Sequence, residues 1–313
     1  MAALPQLAGH PMVTDGGLET DLIFNRGVNL SEFAAYPLLE HAAGRGLLAD
    51  YFDGYASIAA RAGAGLLLET PTWRANPDWG ARLGHGADDL TRANVAAVRF
   101  VQALREGYAA GHDEGEVGPV LVCGVVGPRG DGYRSDDAPD PDEAADYHLA
   151  QVTALADAGA DLVTAYTLTT AGEAIGVVRA GRQAGVPVAV SFTVEVDGRL
   201  PDGSTLAEAV AAVDAAAAPD YHLVNCAHPH HVLAALGSPS AASGLVERIV
   251  GVRYNSSTRS HTELDEALDL DAGDLDVIAS GHAAVRVHLP SLTIVGGCCG
   301  TDARHVARLW GVD

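Results

Sequence analysis

A single (β/α)8 barrel, the TIM-barrel architecture, is the fold this sequence predicts. Three observations carry the prediction: short runs rich in Val, Ile and Leu alternate with longer alanine-rich stretches, about eight such pairs fill 313 residues, and no linker or composition break divides them. The chain is therefore read as one domain over residues 1–313. Each apolar run is nearly continuous rather than alternating, as parallel strands covered on both faces require. A doubly wound sheet, the competing architecture, would announce a glycine-rich phosphate turn after its first strand. TDGGLETD at 14–21 does not match GxGxxG, and Gly124, Gly127, Gly130 and Gly132 miss that spacing as well.

In chain order the predicted strands are PMVTDG at 11–16, GLLLET at 65–70, PVLVCGVVG at 119–127 and DLVTAYT at 161–167. PVAVSFTV at 187–194, YHLVNCA at 221–227, RIVGVRYN at 248–255 and LTIVGG at 292–297 complete the eight. Helical stretches lie between them, at 49–62, 87–110, 141–158 and 204–217 among others. The start of the third of these is marked: Asp140 can cap, Pro141 suits the first helical position, and Asp142 and Glu143 favour the helix dipole. The acidic stretch GDGYRSDDAPDPD at 130–142 reads as a loop after the third strand, hence on the catalytic face of a barrel, although such a loop is ordinarily just solvated. DLDAGDLD at 269–276 has some likeness to a calcium loop, but Gly273 and Asp274 stand in swapped order and Ser280 occupies the twelfth position in place of Glu. Calcium is discounted there.

Composition narrows the function classes. Hydrophobic residues make up 48% of the chain and charged ones 19%, which describes a well-filled globular protein. No apolar run reaches the roughly 18 residues of a membrane span, and the first residues lack the basic and apolar regions of a signal peptide, so a soluble cytoplasmic protein is expected. The net charge of −22, with no clustered arginines, argues against a nucleic-acid partner and leaves a solvated acidic surface. Lysine is absent altogether. A Schiff-base mechanism and a Walker A phosphate loop both need one, so both are excluded.

The four cysteines carry the chemistry. Cys226 ends the sixth predicted strand and Cys298–Cys299 follow the eighth. In a barrel the C-terminal strand ends converge on one face, so three thiols can meet. Adjacent cysteines pair poorly with each other, and a reducing compartment disfavours a disulfide. Three thiolates suit Zn2+ and leave a fourth coordination position for substrate; the flanking glycines let the backbone turn so that both sulfurs face one ion. Cys123, alone in its strand, reads as a small buried hydrophobe. His228, His230 and His231 read as helix-start or surface residues rather than ligands.

These residues resemble the homocysteine S-methyltransferase family over most of the chain. The likeness begins at Asp15-Gly16-Gly17-Leu18-Glu19-Thr20-Asp21-Leu22 and continues through Thr70-Pro71-Thr72-Trp73-Arg74-Ala75 and Ser191-Phe192-Thr193. Its most specific pieces are Val224-Asn225-Cys226 with Pro229, and Gly296-Gly297-Cys298-Cys299-Gly300-Thr301. The resemblance implies zinc held by Cys226, Cys298 and Cys299, with a small-molecule thiol acceptor, homocysteine, methylated to methionine. It also implies Asp15 near the substrate ammonium and the Gly16–Gly17 backbone near its carboxylate. Thr72 and Asn225 fall in the matching motifs and join the expected substrate-binding set.

The chain departs from the family pattern in two places. Tyr166 stands where the family commonly has a glutamate, and Arg253-Tyr254-Asn255-Ser256-Ser257-Thr258 lacks the usual Pro and Gly-Glu. Glu19 and Glu69 lie near other strand ends and could compensate for the missing acid. With no second half for cobalamin, and a chain shorter than betaine enzymes, a sulfonium donor such as S-methylmethionine or S-adenosylmethionine is expected. Trp73, Trp79, Tyr166 and Tyr254 could offer π faces to that cation, core packing being the ordinary role of each. Another thiol or selenol acceptor, or a non-catalytic zinc-binding barrel, stays open at this point, as does the oligomeric state. A zinc hydrolase is disfavoured, because three thiolates quench the metal's Lewis acidity toward water and no HExxH element is present.

Overall fold

Eight parallel strands pair in sequence order and close on themselves. They are β1 (Met12–Val13), β2 (Gly65–Glu69), β3 (Val120–Val126), β4 (Leu162–Leu168), β5 (Val188–Phe192), β6 (Tyr221–Ala227), β7 (Ile249–Tyr254) and β8 (Ile294–Gly297). The computed structural model describes residues 4–110, 114–135, 139–237, 244–265, 267 and 269–313. An outer ring of helices follows the strands in turn: α1 (Ala42–Ala62), α2 (Ala87–Ala109), α3 (Pro141–Asp157), α4 (Ala171–Ala184), α5 (Leu206–Ala217), α6 (Pro229–Leu236), α7 (Leu275–His288) and α8 (Ala303–Trp310). The architecture is the (β/α)8 barrel that the strand–helix rhythm predicts. No helix among the described residues is long and apolar enough to cross a membrane.

Local chemistry explains the helix ends. Asp140 caps α3 by accepting from the N–H groups of Asp142 and Glu143, both at 2.9 Å, as the sequence anticipates. At α5 the Thr205 hydroxyl and the Glu208 carboxylate satisfy each other's backbone N–H groups in a capping box. Helix α1 begins at Ala42 rather than near residue 49. Gly44 and Gly46 weaken helix propensity there and hide the true start, which packing against the preceding turn restores. Likewise β1 keeps only two residues of the run at 11–16, because the chain turns away after Val13 to enter the active face.

Two apolar layers hold these elements. Inside the barrel, Met12, Leu67, Cys123, Leu162, Tyr221, Leu223 and Ile294 interdigitate, with Leu4 packed against them from the N-terminal turn. Gln6 of that turn donates to the Tyr221 hydroxyl at 3.1 Å. Between sheet and helices lies the larger layer, built from Leu48, Val98, Leu155, Val177, Val213 and Val285 among others. Cys123 belongs to the inner layer, its thiol 3.1 Å from the Thr164 hydroxyl, as its isolation in the strand suggests.

Candidate active site

The C-terminal strand ends deliver the three expected sulfurs through unusual backbone. Strand β6 loses register against β7 between Asn225 and Ala227. Cys226 sits in that irregularity with φ 51°, in the left-handed region. A bulge of this kind re-aims a side chain, at a conformational cost of about 1–2 kcal/mol for a non-glycine residue. Neighbours hold the residue there: His261 Nε2 lies 2.9 Å from the Cys226 carbonyl, and the other ring nitrogen lies 2.8 Å from the Glu195 carboxylate. Thr167 repeats the arrangement at a register shift in β4, with φ 62°. The Asn225 side chain fixes it, accepting the Thr167 N–H at 2.8 Å and donating to its hydroxyl at 2.8 Å.

The turn after β8 is positioned by its neighbours' backbones. Cys298 donates its N–H to the Tyr254 carbonyl at 2.7 Å, and Gly297 donates to that of Asp15 at 2.8 Å. Close approach explains the glycines: a Cβ on Gly17 would lie 2.4 Å from the Cys298 carbonyl oxygen, and Gly300 has φ +77°. As a result the sulfurs of Cys226, Cys298 and Cys299 lie within 4.8 Å of one another. Tetrahedral zinc–thiolate bonds of about 2.3 Å place sulfurs about 3.8 Å apart, so the donor set fits that ion in chemistry and spacing. Hydrogen bonds from the Cys226 and Cys299 thiols, with the charge of Arg253, hold Cys298 well below the ordinary thiol range. The same Cys226–Cys298 bond pushes Cys226 well up.

A cavity of about 360 Å3 opens above the sulfurs. Its wall includes Asp15, Gly16, Gly17, Glu19, Glu69, Tyr166 and Asn225, so the structure brings these predicted residues together with the cysteines. Thr72 is not among them; its hydroxyl is turned into the wall, donating to the Val125 carbonyl at 2.7 Å. Gly17 donates its N–H to the Thr301 carbonyl at 3.0 Å. Burial pushes the Glu19 carboxyl up to about 7 and the Glu69 carboxyl up to about 8, the latter against the pull of Arg253. Asp15 is raised for the same reason.

Several residues at the site escape sequence reasoning. Arg253, 8% exposed, bonds both Asp15 and Glu69 and lies 4.7 Å from the Tyr166 ring centre. Burial works against its charge, and the two acids outweigh that, so the guanidinium stays ionised. A lone arginine within an apolar strand was the available signal. Tyr133 comes from the acidic loop after β3, and its hydroxyl lies 3.0 Å from the Cys226 sulfur and 3.4 Å from that of Cys299. That part of the loop is thus a lid on the sulfurs rather than a solvated excursion, while residues 136–138 lie outside the described residues.

Phe24 and Phe33 join Trp73 in the cavity wall. Of the other aromatic residues considered from sequence, Trp79 packs 3.7 Å under the Arg74 guanidinium and Tyr254 bonds His282 at 3.1 Å. Both serve the wall's outer side. His228 caps α6, accepting from the His230 N–H at 3.2 Å, as its position before Pro229 suggests.

Comparison with known proteins agrees with this geometry. The family model for homocysteine S-methyltransferase matches residues 12–311. A homocysteine S-methyltransferase of Escherichia coli (strain K12) is 28% identical over 319 residues, covering 95% of this chain and 94% of that protein. The crystal structure of the Escherichia coli homocysteine methyltransferase MmuM in its oxidized form superposes with a TM-score of 0.76 at 25% identity, covering 97% of this chain and 96% of the other. Its metallated form gives 0.72 at 24% identity, over 97% and 96% of the two chains. With a matching barrel and three converging cysteines, the chain is an S-methyltransferase that belongs to the homocysteine S-methyltransferase family.

Proposed function

We propose that this protein transfers a methyl group from a sulfonium donor, S-methylmethionine or S-adenosylmethionine, to the thiol of L-homocysteine, with zinc held by Cys226, Cys298 and Cys299. The observation that carries the reading is the convergence of three sulfurs within 4.8 Å beneath a cavity. Zinc in such a site supplies a Lewis acid that keeps a thiol ionised near neutral pH. The acceptor sulfur forms an S–CH3 bond as its proton leaves to solvent. The donor's S–CH3 bond breaks, and the electron pair returns to the donor sulfur.

The chain's own residues supply the rest. Phe24, Phe33 and Trp73 line the cavity with Glu19; the Arg74 guanidinium already lies 5.5 and 5.1 Å from the Phe33 and Trp73 ring centres, so Phe24 and the Glu19 carboxyl are the groups left to a sulfonium cation. Tyr133 covers Cys226 and Cys299, and its ring stacks 4.2 Å from His261. That cover limits water at the sulfurs. The homology of the whole chain to homocysteine methyltransferases supports the acceptor assignment. The test is mass spectrometry of zinc-loaded protein given L-homocysteine and methyl-labelled S-methylmethionine or S-adenosylmethionine, beside Cys298→Ala. Labelled methionine that disappears in the variant is expected. Its absence with both donors, from protein verified to hold zinc, would overturn the reading.

A further inference from the structure

The cavity floor beside Cys298 contains its own cation. Asp15 and Glu69, 4% and 3% exposed, are acids that a substrate ammonium would meet there. Arg253 already bonds both through its two Nη atoms. It also donates Nη2–H to the Gly16 carbonyl at 2.9 Å and Nε–H to that of Gly297 at 2.8 Å. Tyr166 donates its hydroxyl to the second oxygen of Glu69. These contacts engage four of the five guanidinium donors and leave one Nη1–H at a cavity wall.

An ammonium group leaving water needs several acceptors at once, and it gains little from acids that already face a cation. A guanidinium cannot give way by losing its proton. Nor can it leave easily, because its departure would strand two buried carboxyls. A carboxylate on the acceptor, by contrast, finds the remaining Nη1–H.

We propose that Arg253 sets acceptor choice: its guanidinium bridges Asp15 and Glu69 in the place a substrate ammonium would take, so that thiols lacking an α-ammonium group bind as well as homocysteine. The inference deepens the methyl-transfer reading above, since it concerns the acceptor of that same site.

Calorimetric titration of zinc-loaded protein with L-homocysteine and with 4-mercaptobutanoate, which has the same chain and carboxylate but no amine, tests it without any methyl donor. Dissociation constants within about tenfold of each other are expected, because tenfold is the lower end of what one charged hydrogen bond contributes. Homocysteine tighter by more than that overturns the proposal, whether or not methionine is formed in the turnover assay. The Arg253→Met variant, with zinc content and circular dichroism confirming its fold, frees both acids. It should raise the preference for homocysteine by at least about tenfold, and an unchanged preference overturns the proposal. If that variant does not fold, Arg253→Met combined with Glu69→Gln, which leaves Asp15 as the free acid, carries the same expectation. Absence of methionine with both donors, alongside two similar dissociation constants, would instead refute the methyl-transfer reading and leave the role of Arg253 standing.

Discussion

Substituting Gly17 by alanine tests whether the turn after β1 positions the sulfurs. Gly17 has an ordinary φ of −81°, so alanine meets no conformational strain there and the effect is steric. The new Cβ would lie 2.4 Å from the Cys298 carbonyl oxygen and 2.9 Å from its carbonyl carbon. Ordinary contact needs about 3.4 Å, so one of two backbone segments must retreat by about 1 Å. Zinc sites tolerate ligand displacements of about 0.2 Å. The turn cannot absorb the difference locally, because Cys298 N–H is tied to Tyr254 and its carbonyl to Thr301.

Zinc affinity should therefore fall by about 10–100-fold, the range seen when residues supporting ligands are changed, and stability by about 1–3 kcal/mol. Competition against a chromophoric chelator measures the first and urea unfolding of the metal-free protein the second. Gly46→Ala is the control: it lies inside α1, and a Cβ there would meet nothing within 4 Å. It should gain about 0.5–1 kcal/mol and leave zinc affinity unchanged. If Gly17→Ala binds zinc within about threefold of the natural chain, the close approach of Gly17 to Cys298 does not position the sulfurs.

Two further outcomes follow from the wall of the cavity. Asn225→Ala removes the acceptor of the buried Thr167 N–H and of the Ser191 hydroxyl, at 2.8 and 2.7 Å, and should cost about 2–4 kcal/mol in urea unfolding; a loss below about 0.5 kcal/mol would show that the clamp is redundant. Glu19, with its carboxyl pushed up to about 7, is mostly neutral at pH 6 and mostly ionised at pH 8. The KM for a sulfonium donor should fall severalfold over that interval in the natural enzyme and stay flat in Glu19→Gln; a flat profile in both removes Glu19 from donor binding.

The parts of the molecule legible from sequence are those set by local composition. Fully covered parallel strands are continuous apolar runs, and Tyr221–Ala227 coincides with its prediction residue for residue. The Gly-Cys-Cys-Gly run likewise announces its sulfurs. What stayed hidden depends on contacts between distant segments. Tyr133 lies in a loop whose acids and glycines predict solvation, and nothing local shows that its hydroxyl reaches a sulfur 93 positions later. Phe24 and Phe33 fall in the short turns between β1 and α1, where no period marks a face. Arg253 is the instructive case. In the sequence it only breaks an apolar run, and its partners, Asp15 and Glu69, sit 238 and 184 residues away. A buried cation demands acids, but the sequence does not say which ones.

Cys226 joins the fold to the chemistry, because its left-handed φ of 51° serves the sulfur and not the strand. If the bulge is imposed by the surroundings, through Glu195, His261 and the β7 register, replacing the cysteine will leave the backbone where it is. Alanine will then keep the strain and glycine will relieve it. Glycine forfeits one buried methyl, about 0.8 kcal/mol, and about 0.4–1 kcal/mol of unfolded-chain entropy, against a relief of about 1–2 kcal/mol. Metal-free Cys226→Gly should therefore match Cys226→Ala to within about 0.8 kcal/mol, cancelling the usual preference for alanine within a strand. Neither variant should hold zinc tightly. Urea unfolding of the two proteins side by side decides the point. Should alanine prove the more stable by more than about 1.2 kcal/mol, the backbone must have relaxed once the sulfur was gone, and the conformation would belong to the cysteine rather than to the barrel around it.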